Sequence, residues 1–180
     1  MTTMPKLSDL TGTYVIDTAH TRIGFVARHT MANKVPGAWE SFEGRACLDG
    51  DDPSRSTAEL TIHAASIQTH NSQRDALLRS RFLDIGNHPT ISFTSAEVGQ
   101  VGETAFKVTG DLGIRGVVRP VDVDFRLTSV ENDEWGHLRV RFAGRARINR
   151  KDWSVHWAGA AGLVEKTVVL ELDVVAIRQP

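Results

Sequence analysis

Apolar and polar residues alternate with period two along much of the chain, which is the pattern of strands with one buried face. In "VDVDFRLT", apolar Val121, Val123, Phe125 and Leu127 fall on one side and polar residues on the other. The same alternation recurs in the windows 22–29, 58–64, 91–95, 105–114, 137–148 and 167–175. The windows are joined by links that carry Gly, Asn, Asp or Pro, without intervening helical windows, so the pattern predicts about eight antiparallel strands.

One apolar face on each of so many strands has to be buried, and a closed barrel or two stacked sheets can bury it. We favour the barrel, so the predicted fold class is an all-β, antiparallel, eight-stranded barrel. A length of 180 residues suits one domain with a sizeable core. We predict an N-terminal extension over residues 1–12 and a single barrel domain over residues 13–180.

One segment, "HNSQRDALLRSRFLDIGNHPTISFTS", departs from the strand pattern. Ser72 followed three residues later by Asp75 resembles a capping box and predicts the start of a short helix. Leu78 and Phe82, four residues apart, give this helix an apolar side, and Pro89 ends it before the next strand. We expect the helix to cover one end of the barrel as a plug or flap.

Composition and charge narrow the function classes. The formal net charge of −1 offers no basic excess for nucleic acid. The chain lacks an apolar run near the roughly 20 residues that span a bilayer. Cys47 is the only cysteine, and the first residues lack the apolar core of a signal peptide. The sequence therefore predicts a cytoplasmic protein that does not bind nucleic acid.

The candidate chemical groups do not form a catalytic or metal-binding motif. The seven histidines are scattered, and neither His-Glu-x-x-His nor Gly-x-Ser-x-Gly occurs. We therefore predict a protein without enzymatic activity, metal or cofactor. His29 stands apart because its parity places it inward at a strand end. Two interpretations stay open for it: hydrogen bonding to a ligand's polar head, or to loop backbone.

The pattern alone leaves open whether the barrel is filled or hollow. Small residues such as Gly44, Gly110 and Gly144 recur at inward positions. They either leave space for a ligand or supply bends and fit the taper of the barrel.

A stripe of arginines lies on another strand, at positions 139, 141, 145 and 147. Such a stripe is typical of a solvated face, and the alternative is that it docks to an anionic membrane. Trp153 and Trp157 either roof a cavity or close an ordinary core.

Four segments, taken together, carry a resemblance to a known family. They are "YVIDTAHTRIGFVARH", "SIQTHNSQRDALLRSRFLDIGNHPTISFTS", "VTGDLGIRGVVRPVDVDF" and "INRKDW". In order and spacing the chain resembles the YceI-like family of polyisoprenoid-binding proteins over almost its whole length. The resemblance implies a lipocalin-like barrel with an elongated apolar cavity. It also implies a carrier or store of an isoprenoid lipid, such as a polyprenyl phosphate or a quinone.

The resemblance also implies which residues meet the ligand. We expect the tail to contact inward residues of the barrel: Phe25, Phe93, Phe106, Ile114, Phe125 and Phe142. Leu78 and Phe82 of the helix are expected to line or gate the tunnel, with Arg74 and Asp75 fixing the helix by charge. His29, Arg74 and Trp153 are expected nearer the polar head. The resemblance also implies a homodimer, whereas peripheral membrane contact is the alternative expected from the arginine stripe.

Two departures from the family and two alternatives accompany this prediction. Many family members carry a signal peptide that this sequence lacks, and Ser154 and Val155 follow "INRKDW" where a glycine is usual. One alternative function is an enzyme that uses the same cavity with His29 as base. The other is an interaction module with a filled barrel, which binds a partner through the arginine stripe.

Overall fold

A computed structural model describes residues 5–28, 34–155 and 166–180. Most of these residues lie in antiparallel strands, because the period-two pattern leaves each strand one apolar face to bury. The strands are β1 (Gly12–Ile16), β2 (Arg22–Arg28), β3 (Lys34–Trp39), β4 (Phe42–Leu48), β5 (Thr57–His63), β6 (Ile67–Gln68), β7 (Thr90–Gln100), β8 (Ala105–Ile114), β9 (Val117–Asn132), β10 (Leu138–Asn149) and β11 (Thr167–Arg178).

Helical structure is short. The α-helix α1 spans Ser72–Leu77 and continues directly into a π-helical turn at Leu78–Phe82. Short 3-10 turns lie at Leu7–Leu10, Pro53–Arg55, Ala64–Ser66 and Arg150–Trp153. Within the described residues, none of these helical segments is long and apolar enough to cross a membrane.

Eight strands close into a barrel in the order β1, β4, β5, β7, β8, β9, β10 and β11. The seam is the antiparallel pairing of β11 with β1, which aligns Tyr14 with Arg178 and Ile16 with Ala176. The predicted all-β, eight-stranded antiparallel barrel with one short helix is confirmed. The boundary between the N-terminal extension and the barrel domain, at residues 12 and 13, stays a prediction. The 3-10 turn at Leu7–Leu10, which belongs to the predicted extension, buries Leu10 against the barrel.

Three further strands extend the sheet beside the seam. β2 pairs with β11 next to the stretch that pairs with β1, β3 pairs with β2, and the two-residue strand β6 pairs with β3. The alternation gave no signal for β3, because "KVPGAW" contains Pro36 and Gly37, residues that strands disfavour. β6 is too short for any pattern.

The two ends of the barrel have separate apolar cores. We call the end with the Leu7–Leu10 turn the upper end and the end with α1 the lower end. The upper cluster comprises Leu10, Tyr14, Leu127, Leu138, Val140 and Ala176. The lower cluster comprises Ile23, Phe25, Phe42, Ile62, Ala64, Ile67, Leu78, Phe82, Leu83, Ile91, Leu112, Ile114, Val121, Val123, Ala146, Ile148 and Trp153. The middle of the barrel lies between them.

The start of α1 differs from the sequence prediction. Asn71, not Ser72, is the N-cap, and its side chain accepts a hydrogen bond from the backbone N–H of Arg74. Asp75 does not complete a capping box, because its carboxylate accepts the backbone N–H of Thr69 at 3.0 Å and also the hydroxyl of Thr69. The pattern placed the helix correctly but assigned its cap one residue too late.

Candidate functional site

A cavity of about 220 Å³ lies inside the barrel. All eight strands of the barrel contribute to its wall, with one representative from each in Tyr14, Ala46, Leu60, Phe93, Phe106, Phe125, Phe142 and Leu172. Protein interiors normally pack as densely as organic crystals, and one buried water needs only about 10–15 Å³. This apolar space is therefore far larger than a packing defect.

Aromatic rings form part of the wall. Phe142 contacts both Phe106 and Phe125 edge-on, with 6.3 Å between the ring centroids in each pair. Phe125 and Phe142 are only half-buried although they face inward, because the cavity leaves part of each ring uncovered. The middle of the barrel is thus not filled by its own aromatic side chains.

Two glycines explain where the rings lie. A Cβ atom added to Gly110 would come within 2.5 Å of the Phe93 ring, and one added to Gly144 within 2.5 Å of the Phe125 ring. Each ring therefore lies against the backbone of a neighbouring strand, in space that any larger residue would occupy. The glycines do not hollow the barrel directly, but they hold the rings against the wall.

Residues of polar type adjoin the cavity wall at one edge. We call residues 45–59, which are the end of β4, the start of β5 and the loop between them, the rim. Arg45, Thr57 and Glu59 of the rim alternate with the lining residues Ala46, Ala58 and Leu60, so their side chains lie on the outer face and are exposed. Asp49 and Ser56 also line this edge. The rim therefore carries the ion pair of Arg45 and Glu59 on its outer surface.

The Leu7–Leu10 turn packs against the rim at the upper end. Leu7 and Leu10 line the cavity, and the Leu7 backbone lies so close to Gly50 that no side chain fits there. The Gly50 N–H donates to the Thr11 hydroxyl at 2.9 Å. The Tyr14 hydroxyl donates to the Leu10 carbonyl at 2.7 Å. These bonds fix the turn as part of the upper wall.

The structure brings four of the predicted site residues together in the cavity wall: Phe93, Phe106, Phe125 and Phe142. Five others belong to the lower cluster instead: Phe25, Leu78, Phe82, Ile114 and Trp153. The Trp153 indole N–H donates to the Leu112 carbonyl at 2.8 Å, so this side chain already has a structural role. Ligand contact by these residues stays a prediction.

Arg74, another predicted head-group residue, is not among the residues that line the cavity. Arg74 donates from Nε to the Thr69 hydroxyl and from Nη2 to the Thr69 carbonyl, both at 2.8 Å. Asp75 is 3% exposed and is also bound to Thr69, so hydrogen bonds to one threonine fix the helix start. His29 and Trp157 lie outside the described residues.

Sequence reasoning missed wall residues that come from both ends of the chain. Leu170, Leu172 and Val174 of β11 line the cavity, as do Leu7 and Leu10. The alternation of β11 was visible in the sequence and was a sufficient signal for the first three. The two leucines carry no periodic signal, because they precede the first strand.

Charged groups of the described residues do not form a catalytic or metal-binding arrangement in the cavity. Groups of three or more potential metal ligands are absent from this part of the chain. The carboxyl groups whose pKa is shifted lie outside the cavity. One of them, Asp17, forms hydrogen bonds with Arg139 and with His20 Nδ1. Partial burial raises the pKa of Asp17, but these hydrogen bonds and positive charges together bring the pKa below its usual value.

Part of the predicted arginine stripe is paired within the protein. Arg139 bonds to Asp17, and Arg141 forms two hydrogen bonds to Asp173, at 2.8 Å from Nε and 2.5 Å from Nη2. The hydrogen bonds from Arg141 keep the pKa of Asp173 below its usual value. Arg145 and Arg147 are exposed. The stripe is therefore weaker as an anion-binding surface than the sequence indicated.

The fold and the cavity define a closed antiparallel β-barrel that encloses apolar space. Residues 14–176 match the YceI-like domain, and the chain belongs to that family. A UPF0312 protein of Pseudomonas paraeruginosa is 35% identical over 161 residues, covering 89% of this chain and 83% of the relative. A UPF0312 protein of Pectobacterium carotovorum is 33% identical, covering 89% and 82%.

Solved structures share the fold at low sequence identity. Burkholderia cenocepacia BcnA has a TM-score of 0.78 at 21% identity, covering 89% of this chain and 98% of that chain. A polyisoprenoid binding domain from Saccharophagus degradans, implicated in plant cell wall breakdown, has a TM-score of 0.73 at 16% identity, covering 92% and 98%. These similarities establish a common architecture.

Proposed function

We propose that this protein binds an isoprenoid-like amphiphilic lipid inside the barrel and carries or stores it without chemical change. The observation that carries the proposal is the apolar cavity, whose wall includes all eight strands of the barrel. The related barrel fold of a polyisoprenoid binding domain supports the choice of ligand class. Apolar cavities of similar size stay dry and take up apolar molecules.

The physical chemistry of the cavity suits a hydrocarbon tail. Each CH₂ group that leaves water contributes about 0.8 kcal/mol, so a tail binds well without a specific polar contact. A cavity of about 220 Å³ is smaller than the roughly 300–1,000 Å³ of common ligand pockets. A long tail therefore requires Phe125 and Phe142, which are only half-buried, to rotate. The elongated shape of the occupied cavity stays a prediction.

The proposal predicts a lipid bound to the purified protein. We expect native mass spectrometry, after gentle purification from a bacterial host, to show an added mass at near one ligand per chain. Solvent extraction and lipid analysis then identify an isoprenoid. A protein that is empty, and that also fails to take up added quinones or polyprenyl lipids, contradicts the proposal and favours the filled-barrel alternative.

A cavity-filling variant and a matched control localise the binding. Leu172→Trp places an indole in the lumen, because Leu172 lines the cavity, whereas Glu171→Trp places the same ring on the outer face of β11. We expect Leu172→Trp to lose ligand at least about tenfold, since the displaced CH₂ groups return to water. Glu171→Trp should retain it, and far-ultraviolet circular dichroism confirms that both variants fold.

Transport and location complete the proposal. We propose that the protein works in the cytoplasm, which is supported by the single, exposed and unpaired thiol of Cys47. A lipid carrier has to exchange its cargo with a membrane, so we include transient peripheral contact with a lipid surface. We also propose that the protein does not catalyse a reaction, because its lumen is apolar. Formation of a homodimer stays a prediction.

A further inference from the structure

The positive and negative side chains of this protein are separated along the barrel. The lower end is formed by strand ends and connections at residues 26–28, 34–36, 64–90, 112–121, 146–155 and 166–169. These segments hold eleven arginines and lysines and three carboxylates, for a formal charge of +8. The other described residues hold ten such cations and eighteen carboxylates, for a formal charge of −8. The net charge near zero therefore combines a basic lower end with an acidic remainder.

The strand register places these segments at one end of the barrel. In an antiparallel sheet, the end of one strand lies beside the start of its neighbour. Arg28 at the end of β2 is aligned with Lys34 at the start of β3. Val169, near the start of β11, is aligned with Val26 of β2 and with Arg147 of β10. The end of β5 meets the start of β7 in the same way, and the end of β8 meets the start of β9.

The cations of the lower end are available to an external partner. Six exposed cations lie around this end: Arg28, Lys34, Arg81, Arg147, Lys151 and Lys166. Within the part of the chain that the structure describes, none of these six forms an ion pair. Of the three carboxylates at this end, Asp75 is buried, Asp84 is half-buried and Asp152 is exposed. The positive charge is therefore not neutralised by pairing within the protein.

Exposed aliphatic side chains lie among these cations. Val118, at the start of β9, is 63% exposed and precedes the exposed Arg119. Leu77 is 37% exposed and lies four residues before Arg81. Cations beside exposed aliphatic groups suit a lipid surface, where the cations meet the headgroups and the aliphatic groups enter the interface. A nucleic acid backbone gives such aliphatic groups no apolar phase to enter.

The upper end does not suit the same partner. Its β9–β10 hairpin carries Trp135, which is 74% exposed. The neighbouring residues Glu131, Asp133 and Glu134 are carboxylates. An anionic lipid surface attracts basic segments and repels acidic ones. Charge therefore turns the lower end, not this hairpin, towards such a surface.

We propose that the lower end of the barrel docks on an anionic membrane surface. This inference rests on the proposed function, because a lipid carrier has to exchange its cargo with a membrane. It assigns the contact to the end that holds α1 and the π-helical turn, where Leu78 and Phe82 cover the lower cluster. Of the arginine stripe, Arg147 belongs to this surface, whereas Arg139 and Arg141 are paired with carboxylates.

Sedimentation with vesicles tests the choice of surface. The full chain, stripped of lipid, is mixed at low salt with vesicles of phosphatidylcholine, either alone or in a two-to-one mixture with phosphatidylglycerol. We expect the anionic vesicles to bind the protein at least about tenfold more tightly, because several exposed cations meet the charged surface together. Added salt should narrow this difference, since it screens exposed charges.

A triple variant and a matched control locate the docking surface. The lower-end variant replaces three exposed lysines: Lys34→Gln, Lys151→Gln and Lys166→Gln. The control replaces three exposed cations elsewhere and has the same net charge: Lys6→Gln, Arg126→Gln and Arg145→Gln. We expect the lower-end variant to bind anionic vesicles at least about tenfold more weakly and the control to bind them nearly as the unmodified protein does. Circular dichroism confirms that both variants fold.

Uptake of an isoprenoid separates this inference from the proposed function. Native mass spectrometry measures the uptake of the isoprenoid alcohol geranylgeraniol, added without vesicles, by the unmodified protein and both variants. If the unmodified protein takes up none, the proposed function is overturned and the inference falls with it. If uptake is normal but both kinds of vesicle bind equally, or the control loses as much vesicle binding as the lower-end variant, the inference is overturned and lipid binding stands.

A short DNA duplex tests the competing partner for a basic surface. Its binding to the stripped protein is measured by fluorescence anisotropy in the same buffer. We expect the duplex to bind at least about tenfold more weakly than the anionic vesicles, because nucleic acid uses the cations alone. A duplex that binds as tightly as those vesicles would overturn the inference and assign the lower end to nucleic acid.

Discussion

Single glycines decide how much of the barrel is open. Gly110 and Gly144 lie under the rings of Phe93 and Phe125, and Gly37 lies under the ring of Phe25 in the same way. In each case the ring occupies the place of an absent side chain on the neighbouring strand. A barrel of eight strands is just wide enough to be filled by its own side chains. Holding rings against the wall therefore preserves space in the middle.

Gly144→Ala tests this role of glycine. The new Cβ atom would lie 2.5 Å from the Phe125 ring, so the ring has to turn into the lumen. We expect a loss of about 1–3 kcal/mol in the free energy of unfolding, measured in urea, together with weaker binding of geranylgeraniol. Gly99→Ala is the control, because its nearest neighbour is 4.0 Å away. Equal behaviour of the two variants would show that the ring does not depend on Gly144.

A second prediction at this scale concerns acid. The depressed pKa of Asp17 means that its ionised form stabilises the fold at neutral pH. This stabilisation is complete above the unfolded pKa of about 4 and is lost as the pH falls through the lower folded value. We expect Asp17→Asn to cost about 1 kcal/mol at pH 7 and much less at pH 2.

Urea unfolding of both proteins at the two pH values measures this difference. The control is Asp124→Asn, which changes an exposed carboxylate on β9. This variant should unfold like the unmodified protein at both pH values. A cost that is the same at pH 2 as at pH 7 would mean that the ionic bonds of Asp17 do not contribute.

At the scale of elements, a buried threonine anchors the start of α1, and Arg79 of the following turn donates to the Ala65 and Ile67 carbonyls. Thr69 is 5% exposed and receives two hydrogen bonds from Arg74 while its own hydroxyl and N–H bind Asp75. The following π-helical turn then places Leu78 and Phe82 in the lower cluster. The helix therefore closes the lower end of the barrel through a polar anchor and an apolar face.

Arg74→Ala tests the anchor. The variant leaves two buried acceptors on Thr69 without their donors, so we expect the free energy of unfolding to fall by about 1–3 kcal/mol. Arg81→Ala, which removes an exposed arginine from the same helical segment, should change it little. Both variants are also analysed for co-purified lipid. If Arg74→Ala alters neither stability nor lipid retention, the helix does not gate the cavity.

At the scale of the whole molecule, the seam is the weakest part of the barrel. β1 aligns three residue pairs with β11 and four with β4, whereas β10 and β11 align eleven. Short pairings near an edge open more easily than long central ones. The Leu7–Leu10 turn and the rim lie next to this seam. Opening of the seam would widen access to the cavity.

Hydrogen exchange followed by mass spectrometry measures that opening. We expect peptides covering β1 to exchange faster than peptides covering the middle of β10. Bound geranylgeraniol should slow exchange in β1, because a ligand that contacts both sides of the seam stabilises the closed barrel. Uniform exchange across the eight strands, with or without ligand, would contradict a weak seam.

The elements could be predicted where local pattern is strong. The alternation in β8, β9, β10 and β11 is sufficient to place each strand and its inward face, since side chains on a strand alternate with period two. The pattern was insufficient for β3, which contains Pro36 and Gly37, and for the cap of α1. A cap depends on one backbone geometry that neighbouring Asn71 and Ser72 can both supply.

The sequence by itself determined the fold class, the inward faces and the family, because these follow from local alternation and from motifs in order. Only the tertiary structure decided that Phe93 and Phe125 lie on glycines of other strands, since those contacts join residues far apart in the chain. It also decided that Arg74 is bound to Thr69. Parity places a side chain on a face, but the closure of the barrel determines what that side chain meets.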